Sequence, residues 1–240
     1  MAFERDEIVG GARVALPGTA VSAERAFLAT VYAWMAAGLA LTAVIALFTV
    51  STPALLQLVF GNRIVFFALM IGQIGLVVGV SGAINRISAS TATGLFLLYA
   101  ALNGITLSII LLLYTGESIA GVFFVSAGMF GAMSLYGAVT KRDLAAWGSF
   151  LFMGLIGVVL ASVVNIFLRN DMLSWVMSMA GVVVFTGLAA YDTNQLRLLG
   201  RQGFADASTE RKGAIIGALK LYLDFINLFL MMLRLFGRRR

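Results

Sequence analysis

The amino-acid sequence predicts an all-α, polytopic membrane protein with seven transmembrane helices. Of its 240 residues, 61% are hydrophobic and 12% are charged, whereas a soluble domain has about 45–50% apolar and about 25% charged residues. Apolar stretches of about 20 residues, the length needed to cross the bilayer core, recur along almost the whole chain. This distribution excludes a large soluble domain.

Six stretches without charge, and one with two charges, are long enough to span a bilayer. The third stretch, Ile87–Gly116, exceeds the length of one span, so its helix is predicted at Thr91–Leu113. The last stretch, Gly213–Phe236, is apolar except for Lys220 and Asp224. The other five predicted spans are Ala26–Val50, Ile64–Asn85, Ser118–Thr140, Leu144–Leu168 and Met172–Tyr191.

Short soluble segments flank the spans. Residues 1–25 mix charges of both signs with Gly10, Gly11 and Pro17, which predicts a short soluble tail before a transmembrane domain at 26–240. No cleavable signal peptide is expected, because no basic segment precedes a short apolar run and a small-residue cleavage site. Since most links between spans are short, successive helices are predicted to be antiparallel neighbours in one bundle.

The link after the sixth span is longer than the others. Thr193–Leu199 can continue the helix as far as Gly200, a residue type that is common just past helix C-termini. A polar loop around Arg201–Arg211 then precedes the seventh span.

The distribution of Lys and Arg predicts a cytoplasmic N-terminus. Alternating spans place ten basic residues on the N-terminal side and two, Arg63 and Arg169, on the other side; cytoplasmic loops carry such an excess. Arg238–Arg240 lie outside if the seventh stretch crosses fully and inside if it re-enters, and full crossing is favoured because no turn signal interrupts it. The ten residues are Arg5, Arg13, Arg25, Arg86, Lys141, Arg142, Arg197, Arg201, Arg211 and Lys212.

The composition also limits the chemistry. The chain has no Cys and no His, which excludes disulfides and thiol catalysis and removes the commonest general base and zinc ligand. With no nucleophile–base pair in the sequence, we expect neither an enzyme nor a cofactor. The net charge of +6 is attributed to orientation and anionic lipid headgroups rather than to nucleic acid. A proton sensor near neutrality would have to use carboxylates.

Asp192 and Asp224 are the acidic residues predicted to lie at membrane depth. Such residues cost about 2.5–3.5 kcal/mol on insertion scales and usually face a cavity or a partner. Asp192 lies about 12 Å along its helix from Gly200, and Asp224 about 16 Å from Gly213, at 1.5 Å per residue. Because one loop joins the two helices, both depths are measured from the same membrane face and differ by about one turn.

Two interpretations of these carboxylates are open. If they meet, they cannot both ionise cheaply, so they share a proton and need a cation once it leaves. Alternatively, each pairs with a base: Asp224 with Lys220, one turn earlier on the same helix face, and Asp192 with Arg86, at the cytoplasmic end of the second span. Glu117, in a tight external loop, is either a solvated residue or an outer cation contact. Three asparagines, Asn103, Asn165 and Asn227, are expected to make interhelical hydrogen bonds.

Several segments resemble the Bax inhibitor-1 family, and especially its bacterial members. The segments are AYDTNQ at 190–195 and the highly specific LYLDFINLF at 221–229, with further similarity in TKRDL at 140–144 and NGITL at 103–107. The similarity covers all the spans and leaves out the N-terminal tail.

The resemblance implies a fold in which the last helix is central and the other six surround it. It also implies a pH-dependent calcium leak gated by Asp192 and Asp224, which would act as calcium ligands, with Arg86 as a latch on one aspartate in the closed state. Lys220 departs from the small or neutral residue expected there, and its charge would weaken cation binding or shift the titration of the pair. Protons, calcium ions and the lipid bilayer are then the partners.

Two functions compete on this basis. The leading hypothesis is a proton-regulated calcium leak channel in a bacterial inner membrane. The alternative is a regulatory membrane protein that binds membrane proteases or acts on stress pathways without conducting ions, with structural carboxylates. An intramembrane aspartyl protease is disfavoured, because Leu223-Asp224 does not supply the Gly-x-Gly-Asp context that accompanies Tyr-Asp in such enzymes.

Overall fold

The computed structural model describes residues 17–84, 86–142 and 144–240. These residues form eight α-helices and no sheet; one isolated β-bridge joins Tyr114 and Arg239. The helices are α1 (Pro17–Ser51), α2 (Pro53–Phe60), α3 (Arg63–Ala83), α4 (Ala89–Leu113), α5 (Gly116–Val139), α6 (Ala145–Leu168), α7 (Asp171–Gln202) and α8 (Ala207–Phe236).

Seven of these helices are long and apolar enough to cross a membrane, which confirms the predicted all-α, seven-span class. The remaining helix, α2, is short and lies in the segment 51–63, which links the first two predicted spans. Its helix begins with Pro53 at the first position, where the missing N–H of proline costs nothing. Gly61 caps its end by donating its N–H to the carbonyl of Gln57.

The first helix begins earlier than predicted. α1 starts at Pro17, so residues 17–25 of the soluble tail predicted at 1–25 are helical; the rest of that tail, 1–16, lies outside the described residues. Residues 19–25 contain Ala, Glu and Arg and neither Gly nor Pro. A helix can therefore continue past the bilayer core into water.

The loop between α7 and α8 is shorter than predicted. α7 continues through Gly200 and ends before Gly203, whose φ of +76° is the conformation that only glycine adopts easily. α8 begins at Ala207 because the Asp206 side chain accepts the N–H and the hydroxyl of Thr209. The backbone N–H of Thr209 is also the main cause that holds the pKa of Asp206 below its usual value. Gly200 serves packing instead of capping: a Cβ there would lie 2.9 Å from the Phe27 ring.

The last helix is central, as the resemblance implies. In the apolar window of α8, 72% of the residues are buried, against 11% in α3 and in α6. α8 packs directly against α1, α4, α5 and α7, whereas α3 packs chiefly on α4 and α6 on α7. The outer helices expose large apolar side chains such as Phe67 and Phe152, which in a bilayer face lipid rather than water.

α8 is continuous, so the seventh stretch crosses fully and does not re-enter. Its C-terminal residues lie beside the α4–α5 loop: Thr115 donates its N–H to the carbonyl of Arg238, and Arg240 donates its N–H to that of Leu113. If the N-terminus is cytoplasmic, as the distribution of Lys and Arg predicts, Arg238–Arg240 lie on the opposite face of the membrane.

Candidate functional site

The two acidic residues singled out in the sequence line one cavity between α6, α7 and α8. This aspartate cavity has a volume of about 560 Å³; α7 contributes Asp192, α8 contributes Asp224, and α6 contributes Gly148 and Ser149. All three helices are membrane-spanning candidates. The structure thus brings Asp192 and Asp224 together at membrane depth.

The two carboxyl groups lie within hydrogen-bonding reach of each other. Such a bond needs a proton on one group, because an ionised carboxylate is only an acceptor. Asp224 is 6% exposed, and its Oδ2 atom is buried with no hydrogen-bond partner among the described residues. Because an unpaired buried acceptor is costly, this arrangement is suited to a shared proton, or to a bound cation once the proton has left.

Lys220 lines the same cavity as both carboxylates. It lies one turn before Asp224 on α8, and its side chain is exposed. In the part of the chain that the structure describes, Lys220 forms no salt bridge with either aspartate. The simple pairing of Asp224 with Lys220 is therefore absent, and the lysine instead faces a cavity that both acids share.

Arg86 is placed apart from the pair. It is exposed in the turn after α3, where its backbone N–H donates to the carbonyl of Ala83. α3, which precedes Arg86, packs chiefly on α4, and Arg86 forms no ion pair with Asp192 in the described residues. The pairing of Arg86 with Asp192 is thus not present in this structure, and the latch stays a prediction about another state.

Glu117 is also remote from the aspartates. It is exposed in the first turn of α5 and lines a second cavity, of about 470 Å³, at the opposite end of the bundle from the α7–α8 loop. Arg238 lines the same cavity. A role for Glu117 would therefore be at the outer mouth.

Two glycines allow α7 to approach its neighbours close to Asp192. At Gly137 of α5, a Cβ would overlap the carbonyl oxygen of Ala190. At Gly148 of α6, a Cβ would lie 2.5 Å from the ring of Tyr191. Ala190 and Tyr191, the two residues before Asp192, thus pack directly against the backbone of α5 and of α6, respectively.

Polar groups of α7 fix the same approach. Asn194 donates to the carbonyl of Gly137 at 3.0 Å. The guanidinium of Arg197 donates to the carbonyls of Ala138 at 3.0 Å and Thr140 at 2.9 Å, which satisfies carbonyls that the end of α5 leaves without helical partners. These positioning residues were not predicted; the signal available was that Asn194 and Arg197 are polar residues on the helix that carries Asp192.

A polar cluster holds the opposite side of α8. The Tyr222 hydroxyl accepts from the amide of Asn103 at 2.8 Å and lies 2.7 Å from the hydroxyl of Thr42. The predicted interhelical bond of Asn103 is therefore confirmed. The other two are wrong: Asn227 donates to the carbonyl of Leu223 within α8, and the Asn165 side chain accepts the N–H of Asn170 just past the end of α6.

The fold and cavity define an integral membrane protein: a bundle of seven spanning helices with a carboxylate pair in a cavity beside its central helix. Residues 24–240 match the family model described as "Inhibitor of apoptosis-promoting Bax1". The chain belongs to the Bax inhibitor-1 family.

Relatives in several bacteria match along nearly their full length. The chain is 53% identical over 215 residues to inner membrane protein YbhL of Escherichia coli K12, covering 89% of this chain and 92% of the relative. It is 46% identical over 214 residues to an uncharacterized protein of Borreliella burgdorferi, with 89% and 92% coverage. It is 38% identical over 224 residues to one of Caulobacter vibrioides, with 90% coverage of both chains. Together with the seven apolar helices, this similarity identifies an integral protein of the bacterial inner membrane.

Proposed function

We propose that the protein is a pH-sensitive calcium leak channel whose gate is the Asp192–Asp224 pair. The single observation that carries the proposal is the placement of both carboxyl groups within hydrogen-bonding reach in one cavity between membrane-spanning helices. Ionisable residues at membrane depth are expensive and commonly mark an ion or proton path. The segments that contain the two residues, at 190–195 and 221–229, also carry the resemblance that implies a calcium leak.

The two carboxyl groups form a cation site when both are ionised, and a bound proton removes that site. With one proton between them, the carboxyl groups satisfy each other and need no cation. Loss of that proton leaves two negative charges in contact at low dielectric, which repel each other and favour a divalent ion. Calcium prefers carboxylate oxygens as ligands, so raising the pH should tighten calcium binding.

The pH has the opposite effect on the proposed contact between Arg86 and Asp192. Arg86 would hold Asp192 more strongly when Asp192 is ionised, because the attraction depends on the negative charge. Acidification should therefore release Asp192 and favour the conducting form. Calcium binding and channel opening need not share a pH optimum, since the same titration drives them in opposite directions.

Calcium flux into proteoliposomes tests the channel. The purified protein is expected to conduct calcium at a rate that rises as the pH falls, and the variant carrying both Asp192→Asn and Asp224→Asn is expected to lose that pH dependence. Glu210→Gln is the matched control, because Glu210 is exposed in the first turn of α8 and does not line the aspartate cavity, so this variant should keep the wild-type profile.

Two outcomes would count against the channel. An undiminished pH dependence in the double variant would exclude the pair as the sensor. Absence of calcium flux from the wild-type protein at every pH would overturn conduction itself and favour the non-conducting regulatory protein.

The latch has its own test. Replacing Arg86 with alanine is expected to raise the basal calcium leak several-fold at neutral pH, because Asp192 then has no partner to hold it closed. Arg201→Ala is the control, since Arg201 is an exposed arginine at the same end of the bundle with no assigned role. Equal leak in Arg86→Ala and wild type at every pH would exclude a gating role for Arg86.

A further inference from the structure

Lys220 brings a fixed positive charge to the site proposed to bind calcium. It stands four residues before Asp224 on α8, about 6 Å along the helix, and lines the aspartate cavity together with Asp192 and Asp224. Its flexible side chain is exposed and forms no salt bridge in the described residues. The ammonium group is therefore free to move relative to the carboxylates.

The charges that line this cavity are two aspartates and one lysine. With one shared proton on the pair, the three groups sum to zero. With the proton gone, they sum to −1, whereas the pair without Lys220 would carry −2. Because attraction for a cation scales with the charge it meets, Lys220 halves the charge that draws calcium into the ionised cavity.

A second observation is that one carboxyl oxygen of the pair is buried without a partner among the described residues. The Oδ2 atom of Asp224, a residue that is 6% exposed, has no hydrogen-bond partner among the described residues. A buried acceptor in that position calls for a donor or a cation. Lys220 carries three N–H donors and a positive charge and lines the same cavity, so it can supply both.

We propose that Lys220 is a tethered cation for the aspartate pair: its ammonium group competes with calcium for the ionised carboxylates and so sets a weak calcium affinity. The exposed side chain swings in to neutralise the pair and swings out when a calcium ion takes its place. Lys220 thus sets the affinity of the pair for calcium. The consequence for transport depends on the proposed channel function, whereas the competition itself concerns binding alone.

Calcium binding is measured in detergent, without any flux, from the rise in unfolding temperature with calcium concentration. A ligand that binds only the folded state stabilises it by RT ln(1 + c/Kd), where c is the free ligand concentration, so at a given calcium concentration tighter binding gives a larger rise in unfolding temperature. We expect Lys220→Gln to bind calcium at least about tenfold more tightly than wild type at a pH where the pair is ionised. Lys220→Arg keeps the charge and should stay as weak as wild type. Lys220→Thr repeats the neutral substitution with a shorter side chain, in case the first variant does not fold.

The binding site of the added calcium is assigned by a triple variant. Adding Asp192→Asn and Asp224→Asn to Lys220→Gln should abolish the gained calcium response. Equal calcium affinity in wild type and in the folded neutral variant, or a gain that survives loss of both aspartates, would overturn the proposal.

The result can be separated from that of the channel. If the neutral variant binds calcium no more tightly while the wild type conducts calcium in a pH-dependent way, the tethered cation is wrong and the channel stands. If the neutral variant binds more tightly and no variant conducts, the tethered cation stands and the channel falls.

Discussion

Replacing Gly137 with alanine is expected to destabilise the protein strongly, by about 3 kcal/mol or more. A Cβ at this position would overlap the carbonyl oxygen of Ala190 and lie 2.9 Å from its carbonyl carbon. Both are backbone atoms of α7, which cannot move aside as a flexible side chain can. The two helices would have to separate, and the hydrogen bond from Asn194 to the Gly137 carbonyl would stretch with them.

Gly131→Ala is the control, because Gly131 lies on the same helix and a Cβ there meets nothing within 4 Å. It should be neutral or slightly stabilising, since alanine is the better helix former. Thermal unfolding in detergent compares the two variants directly. Similar unfolding temperatures for both would show that α5 and α7 are not held in the contact described. Because Ala190 stands two residues before Asp192, Gly137→Ala should also impair any pH dependence of flux.

The spans could be predicted from the sequence because membrane insertion depends mainly on composition and length. Apolar stretches of about 20 residues have few alternatives, so all seven were found. The ends were less predictable, since a helix stops where its last carbonyls find partners and not where hydrophobicity ends. Asp206 and Gly203 decide the α7–α8 loop through local bonds and φ angle, whereas the sequence favoured an end at Gly200.

The depth of the aspartate pair could be predicted, but its contact could not. The rise per residue gives position along a helix, and one short connection places both residues on a common scale. Whether the two side chains face each other depends on the rotation of each helix about its axis. That rotation is set by packing against neighbouring helices. Gly137 and Gly131 look alike in the sequence, yet only one meets backbone. The sequence likewise predicted that Arg86 follows the second span, but not that α3 packs chiefly on α4.

The hydrogen-bond partners of the three asparagines were also not predictable from the sequence alone. All three lie within apolar helices, where a polar side chain needs a partner. For Asn103 the partner is another helix, whereas Asn227 and Asn165 find backbone groups nearby. Only the tertiary arrangement distinguishes these cases, and it makes Tyr222, a residue with no evident role in the sequence, the acceptor for Asn103.

Replacing Tyr222 with phenylalanine should therefore destabilise the protein by about 1–3 kcal/mol. The Tyr222 side chain is fully buried on the central helix, so the amide of Asn103 would lose its acceptor and no water could replace it. Thr42 would lose less, because its hydroxyl also reaches the carbonyls of Gly38 and Ala100. The ring itself stays, so the edge-on packing against Phe96 is kept and the cost reports the hydroxyl.

Tyr99→Phe is the matched control for this prediction. The Tyr99 ring packs edge-on against Tyr222, and its hydroxyl has no hydrogen-bond partner among the described residues, so its removal should change the unfolding temperature little. A double variant assigns the cost: with Asn103 already replaced by alanine, Tyr222→Phe should cost clearly less than in the wild-type background, because coupled partners are not additive. Equal costs in both backgrounds would show that the bond between α4 and the central helix contributes nothing to stability.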